Sequence, residues 1–170
     1  MSAVPADPEH RRLLRRSTSV ESTERIGESL APRLRVGDVI SLSGPLGAGK
    51  TRFVAGLARG LGSRSRVRSP SFTLVNEYRG RVLLLHLDLY RVEPRDADSL
   101  GLEEELERGA MVVEWGEKLP PSLRAECLEI GLEIVSDTER SLTACAARGR
   151  GIELLEAWGG LGAEESGARR

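Results

Sequence analysis

Eight residues, Gly44-Pro45-Leu46-Gly47-Ala48-Gly49-Lys50-Thr51, have the types and spacing to hold a phosphorylated ligand. Glycines let backbone N–H groups turn inward onto phosphate oxygens, and a helix opening at the end of such a loop adds partial positive charge. On this reading the loop residues Gly44, Leu46, Gly47, Ala48, Gly49, Lys50, Thr51 and the following Arg52 face the phosphates. Lys50 reaches the β- and γ-phosphates, and the Thr51 hydroxyl takes one position on Mg²⁺. The chain has only two lysines, Lys50 and Lys118, among many arginines, so a lysine inside this loop is not a matter of composition.

Phosphate loops work with acids and with a group that senses the γ-phosphate. Two acids stand at the ends of apolar runs, Asp88 after Val82–Leu87 and Glu114 after Ala110–Val113. Ligands of open α/β sheets bind at that end of the strands. Asp88 has the position of a magnesium-holding aspartate, and Glu114 that of a magnesium ligand or of a group that orients the attacking water. The bland alternative for both is a strand-end acid paired with an arginine. Ser69-Pro70-Ser71-Phe72 lies where a switch loop would lie, with the Ser71 hydroxyl aimed at the γ-phosphate or Mg²⁺. His86, inside its strand, reads as a satisfied core histidine. Trp115 is a packing residue or a lid, and Ser19 and Thr23 are candidates for adenine or lid contacts. No Asn-Lys-x-Asp guanine-reading sequence is present, which favours adenine.

The elements around these residues follow from periodicity. Val39–Leu42 reads as the strand entering the loop, and Phe53, Val54, Leu57, Ala58 and Leu61 as the buried face of the helix leaving it. An earlier helix starts at Thr18 or Ser19, buries Val20, Ile26 and Leu30 with Thr23 beside them, and ends at Pro32. The runs to Asp88 and Glu114 are apolar throughout, the mark of strands covered on both faces. A short helix is expected over Leu100–Arg108, capped by Asp98 or Ser99. Leu128, Ile130, Leu132 and Ile134, then Leu142, Ala144 and Ala146, alternate as an antiparallel hairpin around Ser136–Glu139. Ile152, Leu155 and Trp158 suggest a closing helix. The expectation is an α/β fold of the P-loop NTPase kind: a mixed sheet flanked by helices, a parallel core around the phosphate loop and a C-terminal antiparallel hairpin. One domain is expected over residues 13–158, with disordered tails at 1–12 and 159–170; the basic first tail runs into an edge strand.

At 170 residues the chain has room for one core, and its net charge of −1 selects no nucleic acid, membrane or acidic partner. No apolar run reaches membrane-spanning length, and residues 1–16 lack the apolar region of a signal peptide. Cys127 and Cys145 are too few and too separate for a metal site and read as reduced residues of a cytosolic protein.

The ordered set of motifs resembles the TsaE (YjeE) family of small ATPases in tRNA threonylcarbamoyladenosine (t6A) synthesis. The matching pieces are Ser19–Thr23, Gly37-Asp38, Gly44–Thr51, Ser69–Phe72 with Tyr78, His86-Leu-Asp-Leu-Tyr-Arg91 and Glu114-Trp115, roughly residues 18–118. Phosphate loops occur in many families, whereas the combination with the last two pieces is specific. The chain departs from the family in having Ser71 where threonine is usual, which keeps the hydroxyl, and Pro45 where an acid is common. The resemblance implies a protein that binds ATP and Mg²⁺, hydrolyses ATP weakly alone and docks on the TsaD–TsaB pair. Its ATPase cycle would support modification of adenosine 37 in tRNAs reading ANN codons, with tRNA met only through that complex. Two other readings use the same loop. A small-molecule kinase would need lid arginines, for which Arg91 and Arg95 are the candidates, and a non-hydrolysing interaction module would only hold Mg-nucleotide.

Overall fold

A computed structural model describes residues 11–166. The expected N-terminal tail lies outside the described residues except for Arg11 and Arg12, as do residues 167–170. Seven strands form one sheet: β1 (Leu13–Ser17), β2 (Val39–Ser43), β3 (Val75–Tyr78), β4 (Leu84–Asp88), β5 (Ala110–Glu114), β6 (Leu128–Ile134) and β7 (Arg140–Cys145), in the order β1-β7-β6-β2-β5-β4-β3. β6, β2, β5 and β4 are parallel neighbours. β3, β7 and β1 each pair antiparallel with the strand beside them. The mixed sheet, its parallel core and the C-terminal hairpin are those expected from the sequence.

Helices cover both faces, so the central strands are apolar on both. Alternate residues divide between two cores. Ile40, Leu42, Leu84 and Val112 face α1 (Val20–Leu30), α2 (Lys50–Gly60) and α5 (Arg150–Ser166). Val39, Leu85, Leu87, Met111 and Val113 face α3 (Leu102–Leu106) and α4 (Pro121–Arg124). His86, Asp88 and Glu114 share the parity of the first set and therefore lie on the face of α2. The register sets Asp88 directly beside Glu114.

The helix that bears the phosphate loop is held by close backbone approach. A Cβ on Gly56 of α2 would overlap the Glu24 carbonyl oxygen of α1, and one on Gly27 would overlap the Phe53 carbonyl oxygen. Phe53 and Leu57 on the same helix are fully buried, each contributing about 1.5–3 kcal/mol. Phe53 meets the buried Trp158 of α5 with ring centroids 6.3 Å apart.

Three local expectations are corrected. The helix expected over Leu100–Arg108 is instead a 3-10 segment, Pro94–Leu100, followed by α3. Gly101, with φ 66°, breaks the two apart, and neither Asp98 nor Ser99 caps α3. Residues 159–166 continue α5 instead of forming a disordered tail. Gly159 is where the helix passes close to Leu13, and Leu161 packs on the core, so the helix runs on past Gly159. Val20 and Ile134 are exposed, because one opens α1 and the other lies at the tip of the hairpin.

Candidate functional site

The phosphate loop joins β2 to α2, at the point where the chain's next parallel neighbours lie on opposite sides of β2. Such switch points open a crevice at the carboxyl ends of the strands. Gly44, Gly47 and Gly49 adopt φ values of 137°, 79° and 101°, which side chains with a Cβ rarely tolerate. No side chain caps α2, whose N-cap is Gly49, so its first amides face the crevice unclaimed by a cap. The result is a cleft of about 700 Å³ lined by the loop together with Thr23, Asp88, Glu114, Trp115 and Arg140.

Lys50 is 5% exposed. Its ammonium donates to the carbonyls of Gly44 at 2.6 Å and Pro45 at 2.9 Å and lies 4.6 Å from the centre of a Trp115 ring. Burial lowers its pKa, opposed by the charges of Glu114, Glu117 and Asp88. The Thr51 hydroxyl donates to Glu114 Oε1 at 2.7 Å. The same oxygen lies 2.9 Å from His86 Nε2. Burial pushes the Glu114 carboxyl up, but the hydrogen bonds from His86 and Thr51 and the favourable charge of Lys50 outweigh it and hold it below 4.5. Asp88 Oδ1 accepts from the Tyr90 amide at 2.9 Å, and Oδ2 accepts from Ser69 at 3.1 Å and Ser71 at 3.4 Å. Neither acid is paired with an arginine among the described residues, so the bland reading of both is set aside.

The expected site residues thus converge, with differences of detail. Leu46 belongs to the loop and Arg52 to the first turn of α2, but the Leu46 side chain is exposed and Arg52 turns away to Glu24 at 3.4 Å. Ser71 touches Asp88 and Ser69, while Pro70 is buried and Phe72 projects outward under the Arg91 guanidinium, 4.7 Å from the ring centre. Ser19 and Thr23 stand at the rim with their hydroxyls engaged locally. Ser19 caps α1 by accepting from the Ser22 amide, and Thr23 bonds Ser17. Trp115 lines the cleft, so it is not confined to core packing. Two non-glycine residues take left-handed backbone conformations, Leu74 (φ 67°) and Trp115 (φ 59°), and they flank the switch segment and Glu114. Strain of this kind gathers at functional sites.

Sequence reasoning missed Arg140, which reaches across from the hairpin and donates to the Gly47 carbonyl at 3.2 Å. It also missed what His86 does. That ring is fully buried and satisfied, as expected, but one of its partners is Glu114. The placement of His86 on the parity of Glu114 was the available signal; nothing local marks Arg140. No group of three or more His, Cys, Asp or Glu residues among those described forms a metal cage. No described helix is long and apolar enough to cross a membrane.

A sequence model of the family described as threonylcarbamoyl adenosine biosynthesis protein TsaE matches residues 17–142. The tRNA threonylcarbamoyladenosine biosynthesis protein TsaE of Bacillus subtilis is 41% identical over 143 residues, 83% of this chain and 90% of that protein. The protein of the same name from Treponema pallidum is 40% identical over 129 residues, 75% of this chain and 96% of the other. The crystal structure of Bacillus subtilis YdiB superposes with a TM-score of 0.74 at 35% identity, covering 92% of this chain and 97% of that one.

Proposed function

The chain belongs to the TsaE family, and on that premise we propose that it binds Mg-ATP in the cleft, hydrolyses it weakly alone and serves t6A formation on tRNA together with TsaD and TsaB. One observation carries the reading. The Thr51 hydroxyl of the phosphate loop and the Glu114 carboxylate of β5 meet at 2.7 Å, with Asp88 one strand over. A phosphate cradle and two strand-end acids are brought to one point.

The residues suit magnesium. Hydroxyl and carboxylate oxygens converge, and among the described residues no protein cage completes a coordination sphere. Magnesium in nucleotide sites is held in that way, by one or two protein oxygens with phosphates and water completing the octahedron. Thr51 and Asp88 would hold it, with Glu114 beside them. Bound there, it would neutralise charge on the β- and γ-phosphates. The protein groups have separate tasks. Loop amides such as those of Gly47, Gly49, Lys50 and Thr51 orient the phosphates, Lys50 places a cation against them, and Glu114 holds Thr51 and faces the region where a water would attack. Asp88 draws the Ser69–Phe72 loop to the cleft through the two serine hydroxyls. On this reading the protein drives the reaction cycle of its partners and leaves the threonylcarbamoyl transfer to them. A cytoplasmic site of action goes with tRNA as the end target.

The test is titration of the purified chain with Mg²⁺ and a non-hydrolysable ATP analogue, followed by phosphate release with and without TsaD–TsaB. Binding, slow release alone and stimulation by the pair are expected, with no added acceptor required. Absence of nucleotide binding would overturn the reading. Phosphate transfer that depends on a small-molecule acceptor would make the protein a kinase, and binding with zero turnover in the presence of the partners would make it a passive module.

A further inference from the structure

Behind the cleft a chain of hydrogen bonds runs from the phosphate loop to the start of the switch segment. Thr51 donates to Glu114 Oε1 at 2.7 Å, and that oxygen faces His86 Nε2 at 2.9 Å. His86 Nδ1 lies 3.3 Å from the Tyr78 hydroxyl, which accepts from the Arg68 amide at 3.2 Å and lies 3.1 Å from the Arg68 carbonyl. Arg68 immediately precedes Ser69. With the imidazole proton on Nε2, every member has a partner. Nε2–H donates to Glu114, Nδ1 accepts the Tyr78 proton, and the Arg68 carbonyl keeps the bond from Asn76 Nδ2 at 3.1 Å.

The members are placed where apolar residues would otherwise serve. His86 is fully buried between Leu85 and Leu87, and Tyr78 is 4% exposed, in the same core as Leu84. A buried polar ring costs stability unless both its nitrogens are satisfied, and such networks hold one geometry when complete. The far end of the switch segment is tied to the other acid: the Asp88 amide donates to the carbonyl of Leu74, itself at φ 67°. The segment between is thus suspended from both acids, directly at Asp88 and through two side chains at Glu114.

We propose that Tyr78 and His86 are positioning residues that fix the Glu114 carboxylate toward Thr51 and couple its orientation to the backbone at Arg68, where the switch segment begins. The inference rests on the Mg-nucleotide reading of the cleft and adds the means by which loop and acid are set together. His86 presents a hydrogen-bond donor at a fixed distance, and Tyr78 holds the imidazole by its other nitrogen. Neither touches the nucleotide in this reading.

Tyr78→Phe deletes one oxygen and keeps the ring. Three results are expected in the full chain. Hydrogen exchange at the Arg68 amide rises by about tenfold, the scale of one lost hydrogen bond. Affinity for a Mg-bound ATP analogue stays within about threefold, while TsaD–TsaB-stimulated turnover falls by about five- to twentyfold, a split of binding from rate that simple unfolding would not give. Combined with Glu114→Gln, Tyr78→Phe adds less than about a twofold further loss of turnover, because residues acting through one group are not additive. His86→Gln, which restores a donor toward Glu114, should recover several-fold more turnover than His86→Leu. Losses that multiply in the double variant, or unchanged Arg68 exchange in Tyr78→Phe, would overturn the proposal. If the wild-type chain binds no Mg-nucleotide, the reading of the cleft fails by itself. The relay is then judged without nucleotide, from Arg68 exchange and from the melting temperatures of the Tyr78→Phe and Glu114→Gln cycle, where additive losses sink it.

Discussion

Removing the loop lysine tests the site at its most committed point. Lys50 is almost fully enclosed, and its cation is held by two loop carbonyls at 2.6 and 2.9 Å, against a Trp115 face, within the field of Glu114, Glu117 and Asp88. To meet a phosphate it must exchange those carbonyls for anionic oxygens. The gain is therefore a difference between two sets of charge-assisted bonds, and the phosphate set wins by its full negative charge. A hydrogen bond between charged groups is worth about 1.5–3 kcal/mol, so Lys50→Ala should weaken binding of a Mg-bound ATP analogue by roughly 10- to 150-fold. Lys50→Met keeps most of the stem against Trp115 and removes only the charge, so it should lose nearly as much. Titration calorimetry at fixed ionic strength measures both, with melting curves to show that each variant is folded. Wild-type affinity in both variants would refute the reasoning. Wild-type affinity in Lys50→Met alone would show that packing of the stem, and not the ammonium, shapes the cleft.

Glu114→Gln should leave nucleotide affinity within about threefold and lower partner-stimulated turnover by about a hundredfold, the scale of a lost acid–base or water-orienting group; an equal loss of binding would instead make it a magnesium support. The Glu114 carboxyl is held below its ordinary 4.5, so its stabilising contribution is present above that value and is lost as pH falls through the folded-state pKa. The melting temperature of the wild type should then fall more steeply than that of Glu114→Gln below about pH 4.5, and parallel curves would exclude the linkage. Ser71→Ala should lower partner-stimulated turnover more than ATP affinity and Ser71→Thr should be tolerated; hydrogen exchange over residues 66–76 that is unchanged by nucleotide would show that the segment is no switch. Gly56→Ala drives a methyl group into the Glu24 carbonyl and should cost about 2 kcal/mol or more in urea unfolding, whereas a cost under about 0.5 would mean that α1 and α2 separate freely.

The chemistry-bearing residues were legible because their signals are local. A phosphate loop needs its glycines and its lysine within one turn, and Asp88 and Glu114 each end a run whose apolarity announces a covered strand. What joins them is not local. That Asp88 and Glu114 are register neighbours, that Ser69 and Ser71 bond Asp88, and that Arg140 reaches Gly47 from 93 residues away all depend on strand order, which periodicity does not specify. The C-terminal misreading has the same origin: residues 159–170 read as a disordered tail until the edge strand at Leu13 is placed beside Gly159.

Trp115 shows how the two kinds of information combine. Its residue type left packing and lid equally open. The fold decides through its neighbour: a Cβ on Gly116 would collide with Ser41 of β2, so the chain must turn sharply immediately after Glu114. The turn puts Trp115 at φ 59° and ψ 40°, in the left-handed region that indole-bearing residues seldom occupy. From there its ring meets Tyr90 at 5.1 Å between centroids and the Lys50 ammonium at 4.6 Å. The backbone strain is offset by those contacts, and the same contacts set the resting place of the phosphate-loop lysine. A tryptophan that the sequence could only flag is thus a wall of the cleft, fixed there by a glycine whose necessity appears only when β2 stands next to β5.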